Sequence, residues 1–321
     1  MNDRIKQGTI IKGVGGFYTV LAEDGTECVC KARGLFRKQG VTPIVGDTVD
    51  YQESGTGTDD GYSRDGAAKN GYLTGIHPRK NEFIRPAVSN IDRMFIVISA
   101  SRPLPDLLLV DKLLLLSFKL GVEPVVVINK CDEAEEGAAE KLRAQYAPTG
   151  CSVLLVSAET GEGIPELREL LRRKTVCFAG QSAVGKSSLL NALIPGAGLA
   201  VGGLSDKTER GRHTTRHTQL IPLGELGGAV LDTPGFSLLD TLELEPEEIR
   251  ELYPELRGAE EKCRFSRCLH VSEPGCSVKK ELIINEQEPW TPGKAGIHSQ
   301  RYERYVRLVR EAEEHRRHRY D

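Results

Sequence analysis

The sequence predicts a multidomain protein with a small N-terminal β-barrel, a central α/β domain and a mostly helical C-terminal domain that binds a metal. Short strand-like runs separated by glycine pairs fill the first 80 residues, and strand-like and helical runs alternate from about residue 87. Four cysteine and histidine residues then cluster near residue 270. We expect domain boundaries at 1–80, 81–240 and 241–321.

Composition excludes several classes of protein. The 321 residues are 39% hydrophobic and include 34 glycines, which is enough for ordinary cores and excludes a mainly disordered chain. The net charge of -3 means that any nucleic-acid site must be a local basic patch. Eight cysteines in a chain of this length do not indicate a disulfide framework. With no secretion signal at the start and charges breaking the apolar stretch at 104–120, we expect a soluble, cytoplasmic protein without a membrane span.

The N-terminal barrel is predicted from strands at 8–11, 17–20, 27–30 and 47–51. Residues 54–71 are polar and rich in glycine, which predicts a mobile hairpin loop. No helical period interrupts these strands, and short strands alone close most readily into a small barrel.

The central domain alternates two kinds of element. Strands are predicted at 94–99, 124–128, 152–156, 175–179 and 229–232. Helices are predicted at 105–120, 138–146, 164–173 and 185–193. This alternation predicts a mainly parallel sheet covered by helices on both faces. In the final helix, Tyr302, Tyr305, Leu308 and Val309 fall near one face, with arginines 301, 304, 307 and 310 around it.

A phosphate-binding loop directly follows the strand at 175–179. The loop matches G-x-x-x-x-G-K-[ST] and consists of Gly180, Gln181, Ser182, Ala183, Val184, Gly185, Lys186, Ser187 and Ser188. Its glycines let backbone amides point at phosphate oxygens, while Lys186 would balance the β- and γ-phosphate charge and the Ser187 hydroxyl can bind Mg²⁺. A chance glycine-rich turn is the alternative, which the flanking strand and helix disfavour. The motif alone does not distinguish ATP from GTP.

Two further motifs favour guanine as the base. The N-K-x-D motif follows the strand at 124–128 and consists of Asn129, Lys130, Cys131 and Asp132. Asp132 can accept hydrogen bonds from the guanine ring N–H and exocyclic amine, for which adenine has no matching donor pair. The Lys130 stem can lie over the base, and Asn129 can brace a neighbouring loop. After the next strand, Ser157 and Ala158 form the S-A pair that offers a backbone N–H to the guanine oxygen in GTP-binding proteins.

The segments that would respond to the γ-phosphate come last. Asp232 begins a D-T-P-G motif, in which it would hold Mg²⁺ through water while the Gly235 amide reaches the γ-phosphate. Upstream, residues 211–215 read G-R-H-T-T, and we favour Thr215 over Thr214 as the residue that senses Mg²⁺ and the γ-phosphate. A plain solvated loop is the alternative for this segment.

The order of these motifs is itself informative. Ordinary GTPases begin with the phosphate loop and end with the base motifs, whereas here the base motifs come first. The sequence therefore predicts a circularly permuted GTPase domain, which is possible because domain termini often lie close together. The γ-phosphate-sensing segment then leads directly into the C-terminal domain, so that its ordering could shift that domain.

The C-terminal cluster has the composition of a structural metal site. Its members are Cys263, Cys268, His270 and Cys276. Three thiolates and one imidazole form a closed tetrahedral set typical of Zn²⁺, and buried thiols with a surface histidine are the alternative. We therefore expect one structural Zn²⁺ per chain, which holds the local fold, and Mg²⁺ bound together with GTP or GDP.

The combination of these motifs resembles the ribosome small subunit-dependent GTPase A family over nearly the whole chain. The permuted order, the D-T-P-G-F ending, the G-R-H-T-T switch and the C-x4-C-x-H-x5-C cluster carry the resemblance. It implies an OB-fold for the RNA-binding N-terminal barrel and a role late in the assembly of the small ribosomal subunit. It also implies GTP hydrolysis that the subunit stimulates and that is coupled to release. The small subunit and its rRNA are the expected partners of a monomeric protein.

Hydrolysis is predicted to be slow in the isolated protein. Phe236 follows D-T-P-G, where many GTPases place a glutamine that orients water, and phenylalanine has no polar group for this task. His213 is the first candidate to position the attacking water and His217 the second, although both are alternatively exposed loop histidines. His213, Thr215 and Lys186 therefore form the candidate catalytic set.

Two other functions are compatible with the motifs. A different permuted GTPase would act on the large subunit, and sedimentation of the GTP-bound protein would distinguish it. An RNA-binding checkpoint would use GTP only as a conformational ligand. In that case a Lys186→Ala protein would keep its activity in assembly without hydrolysis.

Overall fold

A computed structural model describes residues 5–34, 36, 40–54, 69–194, 218–232, 243–257, 262–284 and 296–320. The strands are β1 (Lys6–Val14), β2 (Phe17–Ala22), β3 (Glu27–Ala32), β4 (Thr48–Glu53), β5 (Lys69–Ile76), β6 (Glu82–Phe83), β7 (Val88–Ser89), β8 (Arg93–Ser99), β9 (Glu123–Asn129), β10 (Ser152–Leu155), β11 (Lys174–Ala179), β12 (Gln219–Pro222), β13 (Gly228–Asp232), β14 (Ile283–Ile284) and β15 (Ile297–His298). The helices are α1 (Leu107–Leu120), α2 (Ala138–Tyr146), α3 (Ile164–Leu171), α4 (Lys186–Leu193), α5 (Pro246–Glu251) and α6 (Ser299–Tyr320).

The chain forms two compact units, each described by itself. The described parts of Met1–Asp92, Leu171–Cys177 and Lys207–Phe236 make the first unit. Those of Arg93–Leu170, Phe178–Asp206 and Ser237–Asp321 make the second. No helix among the described residues carries an apolar stretch long enough to cross a membrane.

The first unit contains the predicted N-terminal barrel. Strands β1 to β5 close in the order β1-β2-β3-β5-β4, and β4 pairs back with β1. All of these pairings are antiparallel except the parallel pairing of β3 with β5. This five-stranded closed barrel confirms the predicted OB-type fold. Its centre is filled by fully buried side chains, among them Ile10, Val20, Val49, Tyr51 and Leu73.

The predicted C-terminal bound of the loop at 54–71 is wrong by three residues, because β5 already begins at Lys69. Gly71 lies inside this strand, where a β-carbon would come within 2.6 Å of the Gln52 carbonyl oxygen and 3.0 Å of the Cys28 sulfur. The glycine that suggests a loop is therefore required by close packing inside the barrel. Residues 55–68, which make up most of the predicted mobile loop, lie outside the described residues.

Three more strands complete the sheet of the first unit. Strand β11 pairs in parallel with β13, which pairs antiparallel with β12. Strand β12 then meets β1 at the pair Gln219 and Lys12. Strand β12 was not predicted from the sequence, because four residues ending in proline give too short a pattern to recognise.

The second unit contains a parallel sheet in which β9 lies between β8 and β10. Every residue of β8 is buried, as expected for a parallel strand covered on both faces. Helix α1 begins two residues later than predicted, because the Asp106 carboxylate caps it by accepting a hydrogen bond from the Leu109 amide at 3.0 Å. Gly121 ends the helix with a left-handed φ of 65°.

The C-terminal part of the second unit is mostly helical, as predicted. Helix α6 is 22 residues long and packs on α5 around buried aromatic and aliphatic side chains. Tyr253 and Tyr305 meet edge to face, with ring centroids 4.8 Å apart. The predicted apolar face is confirmed for Tyr305, Leu308 and Val309, which are buried.

Candidate nucleotide site and metal cluster

The phosphate loop connects β11 to α4, and its lysine rests on the loop backbone. The Lys186 ammonium donates to the carbonyl oxygens of Gly180 at 2.7 Å and Gln181 at 2.6 Å. Burial lowers the pKa of Lys186, because a charged amine is poorly solvated there. A phosphate group would compensate this partly desolvated charge, so the loop is electrostatically suited to bind an anion.

Asn129 joins three of the predicted motifs. Its side-chain amide donates to the Val184 carbonyl of the phosphate loop at 2.9 Å. Its side-chain oxygen accepts a hydrogen bond from the backbone N–H of Ala158 at 3.2 Å. Asn129 ends β9 and is buried, so these hydrogen bonds form away from bulk solvent. The N-K-x-D motif, the S-A pair and the phosphate loop therefore meet at one buried side chain.

Gly185 lies so close to Asn129 that any larger residue would displace the Asn129 side chain. A β-carbon there would lie 2.3 Å from the Asn129 side-chain nitrogen, and the φ of +95° favours glycine. We expect Gly185→Ala to cost about 1–3 kcal/mol in the nucleotide-binding conformation, which weakens GDP binding by about 5- to 150-fold. Calorimetric titration with GDP measures this loss.

Gly137→Ala is the matched control for this variant. Gly137 also has a positive φ, of +76°, but a β-carbon there would meet nothing within 4 Å. This control should bind GDP as the unaltered protein does. Equal GDP affinity of the two variants would show that the contact between Gly185 and Asn129 does not shape the site.

The N-K-x-D residues predicted to bind the guanine base lead into a short 3-10 turn, Cys131–Glu133, in which Asp132 is exposed. Lys130 enters this turn with a left-handed φ of 63°, and its ammonium donates to the Arg102 carbonyl at 2.8 Å. Ser157 is buried, and its hydroxyl oxygen accepts a hydrogen bond from the Thr160 amide at 3.0 Å.

The residues predicted to bind Mg²⁺ are only partly described. Ser187 is the second residue of α4 in the second unit, and Asp232 ends β13 in the first unit. The exposed Asp232 carboxylate accepts a hydrogen bond from the Gln219 side chain at 3.3 Å. His213, Thr214, Thr215, His217, Gly235 and Phe236 lie outside the described residues.

The four predicted metal ligands converge in the second unit. The side-chain ligand atoms of Cys263, Cys268, His270 and Cys276 all lie within 4.8 Å of one another. The His270 Nδ1 atom is 3.4 Å from the Cys276 sulfur and 3.6 Å from the Cys263 sulfur. Two ligands on a tetrahedral Zn²⁺ would be separated by about 3.5 Å, as given by the usual Zn–N and Zn–S bond lengths. The cluster therefore fits a single tetrahedral metal ion.

The electrostatics of the cluster differ between its cysteines. Burial raises the pKa of the Cys268 thiol to about 12. For Cys263, burial alone would also raise the pKa, but hydrogen bonds from Ser277 and the neighbouring thiols bring it below the ordinary value. The Ser277 amide lies 3.4 Å and its hydroxyl 3.0 Å from the Cys263 sulfur. Ser277 thus stabilises the thiolate form that binds metals.

Residues outside the predicted ligand set hold the metal-binding loop in shape. The Glu273 carboxylate accepts hydrogen bonds from the amides of Leu269, Val271 and Ser272 at 2.5 to 3.0 Å. Tyr302 of α6 donates to the His270 carbonyl at 2.6 Å. His270 itself has a left-handed φ of 59°, which a non-glycine residue adopts only when its surroundings hold it there. The contact of Glu273 with these amides was not predicted, whereas Tyr302 lies on the face of the final helix that the sequence singled out.

Comparison with known proteins gives consistent matches over most of the chain. A family model described as RsgA GTPase matches residues 76–242, and one described as RsgA N-terminal domain matches residues 7–62. A relative from Caldanaerobacter subterraneus subsp. tengcongensis, named small ribosomal subunit biogenesis GTPase RsgA, is 42% identical over 88% of this chain and 91% of its own length. A Bacillus subtilis relative of the same name is 39% identical over 87% of this chain and 92% of its own length.

Solved structures agree with these matches. The crystal structure of YjeQ from Thermotoga maritima has a TM-score of 0.75 and 34% identity, covering 96% of this chain and 99% of that chain. The crystal structure of YloQ, described as a circularly permuted GTPase, has a TM-score of 0.74 and 32% identity, covering 97% of this chain and 96% of that chain. The circular permutation predicted from the motif order is therefore confirmed.

Proposed function

The chain belongs to the RsgA GTPase family and is a GTP-hydrolysing enzyme, and from this premise we propose that its GTPase cycle serves the late maturation of the small ribosomal subunit. The subunit and its rRNA stimulate hydrolysis, and hydrolysis is coupled to release from the subunit. The protein acts in the cytoplasm as a monomer. The OB-type barrel contributes to rRNA binding, because such barrels commonly bind nucleic acid through one sheet face and its loops.

The observation that carries the proposal is the meeting of three motifs at Asn129. A phosphate loop alone is compatible with ATP or GTP, but here it shares a hydrogen-bonding side chain with the N-K-x-D motif and the S-A pair. A nucleotide whose phosphates occupy the loop would place its base near Asp132. The Asp132 carboxylate would accept hydrogen bonds from guanine, as inferred from the motif.

The residues predicted to contact the phosphates and Mg²⁺ then have defined tasks. The Lys186 ammonium would exchange the carbonyl oxygens of Gly180 and Gln181 for phosphate oxygens. Ser187, Thr215 and Asp232 are the proposed residues for holding Mg²⁺, and hydroxyl and carboxylate oxygens suit that hard cation. When bound, Mg²⁺ would neutralise charge on the β- and γ-phosphates. The Gly235 amide would contact the γ-phosphate, and His213 would orient the attacking water.

The cysteine and histidine cluster is proposed to bind one structural Zn²⁺ through Cys263, Cys268, His270 and Cys276. These four protein ligands would fill the positions around a tetrahedral Zn²⁺ and leave none open for catalysis. The metal would stabilise the helical region against unfolding.

The proposed role is tested by measuring phosphate release from GTP with and without purified small ribosomal subunits, with ATP and large subunits as controls. We expect slow release from the isolated protein and a clear rise with the small subunit, smaller than the about 10³- to 10⁵-fold of an arginine finger, because rRNA contacts would only order the switch segment. Equal rates with and without the small subunit would contradict the proposal, as would equal stimulation by the large subunit.

The same assay separates the two histidine candidates. His213→Ala should lose most of the stimulated rate, whereas His217→Ala should keep it, because only His213 is proposed to orient water. Unchanged stimulation in His213→Ala, with GTP binding intact, would refute the assignment of this residue.

A further inference from the structure

One residue of the phosphate loop contacts the beginning of α1. The Gln181 side-chain oxygen accepts a hydrogen bond from the Asp106 amide at 2.6 Å, and its side-chain nitrogen donates to the Leu104 carbonyl at 3.0 Å. Asp106 is also the residue whose carboxylate caps α1 at Leu109. Gln181 therefore holds the chain at the point where α1 starts. The phosphate motif accepts any residue at the position of Gln181, so these hydrogen bonds are a structural role beyond the motif itself.

The same helix is attached to α6 by buried charges. Asp111, on the second turn of α1, is fully buried and accepts hydrogen bonds from Arg301 and, at 2.6 Å, from Arg304. Arg301 also donates to the buried carboxylate of Glu255. The side chains of Arg301, Asp111 and Glu255 are at most 1% exposed. Separating a buried pair leaves an uncompensated charge, so α1 and α6 are strongly favoured to move together.

Aromatic rings restrict this network further. The Arg301 guanidinium lies 4.4 Å from the ring centroid of Tyr253 and 5.6 Å from that of Tyr146. One residue further along α6, Tyr302 donates to the His270 carbonyl in the metal-binding loop. A continuous series of contacts thus runs from the phosphate loop through α1 and α6 to the metal-binding loop, all within the second unit.

We propose that Gln181 is a positioning residue that couples the phosphate loop to α6 through α1. The distance along α1 from its cap at Asp106 to Asp111 is about 7.5 Å, a short and rigid span of helix. A change in the phosphate loop between GDP and GTP would therefore move α1 as a unit and α6 with it. Coupling is reciprocal, so a partner that binds α6 would alter the relative affinities for GTP and GDP by the same factor. This inference rests on the proposed GTP site.

Hydrogen–deuterium exchange of α6 amides, measured in the full chain at saturating GDP or a non-hydrolysable GTP analogue, tests the coupling. Saturation removes any effect of a variant on nucleotide affinity. In the unaltered protein, exchange over residues 301–309 should differ between the two nucleotides by about 5- to 150-fold, the range of typical coupling energies. Gln181→Ala should bring this ratio close to one. Arg304→Gln should lower the ratio less, because Arg301 still donates to Asp111 in that variant.

Arg307→Gln is the matched control, because Arg307 lies on the same helix but donates to Glu311, one turn further along that helix, at 2.9 Å. This variant should keep the nucleotide-dependent ratio. A ratio near one in the unaltered protein would overturn the proposal, and so would a full ratio that survives in Gln181→Ala. If neither nucleotide binds the unaltered protein in a calorimetric control, the GTP site itself is refuted and the coupling with it.

Discussion

Asp132→Asn is expected to weaken GDP binding by about a hundredfold or more and to create affinity for xanthosine diphosphate. The Asp132 carboxylate would accept two hydrogen bonds from guanine, and bonds to a charged group contribute about 1.5–3 kcal/mol each. An asparagine amide can donate one hydrogen bond where the carboxylate could only accept. Xanthine carries an oxygen in place of the guanine amine, so the altered side chain suits xanthine better.

Calorimetric titration with GDP, xanthosine diphosphate and ADP measures this change of base preference. Glu133→Gln is the matched control, since Glu133 is the neighbouring exposed carboxylate in the same 3-10 turn. The control should retain guanine preference. An Asp132→Asn protein that still prefers GDP would show that the base lies elsewhere. Tight ADP binding by the unaltered protein would likewise contradict the assignment of Asp132 to guanine.

Cys268→Ser is expected to abolish metal binding and to unfold the C-terminal helical region. Metal binding at structural zinc sites contributes about 10–16 kcal/mol, which is comparable to the whole stability of a typical domain. The Cys268 and Cys276 side chains belong to the same buried cluster as Tyr253, Leu256, Tyr305 and Val309. Loss of the metal would therefore expose the hydrophobic core of the C-terminal region and leave the remaining thiols without the ion that they bind.

Metal content by atomic emission and thermal unfolding by circular dichroism test this prediction, with chelator treatment of the unaltered protein as a second route. Cys151→Ser is the control, because Cys151 lies outside the cluster and is only partly buried. It should keep one metal ion per chain and unfold at an unchanged temperature. A Cys268→Ser protein with full metal content and the same unfolding temperature would contradict the assignment of the ligands.

The predictions that needed only local patterns agree closely with the structure. Helix α2 has the predicted bounds, Ala138–Tyr146, because its apolar spacing and flanking glycine are visible in a short window. The five predicted strands of the central domain all exist within one residue at each end. The ligand-type residues of the metal cluster also lie close together along the chain, so their spacing alone indicated a site.

The amino-acid sequence by itself determined the motifs, their permuted order and the fold class of the barrel, the α/β region and the helical region, because each depends on residues close together along the chain. Only the tertiary structure decided how distant residues act on one another. Arg301 was expected beside the apolar face of the final helix, yet it is fully buried, because Asp111, 190 positions away, and Glu255 neutralise it. Asn129 likewise joins loops 29 and 55 positions away. Such pairings depend on the closing of long loops, which no local pattern encodes.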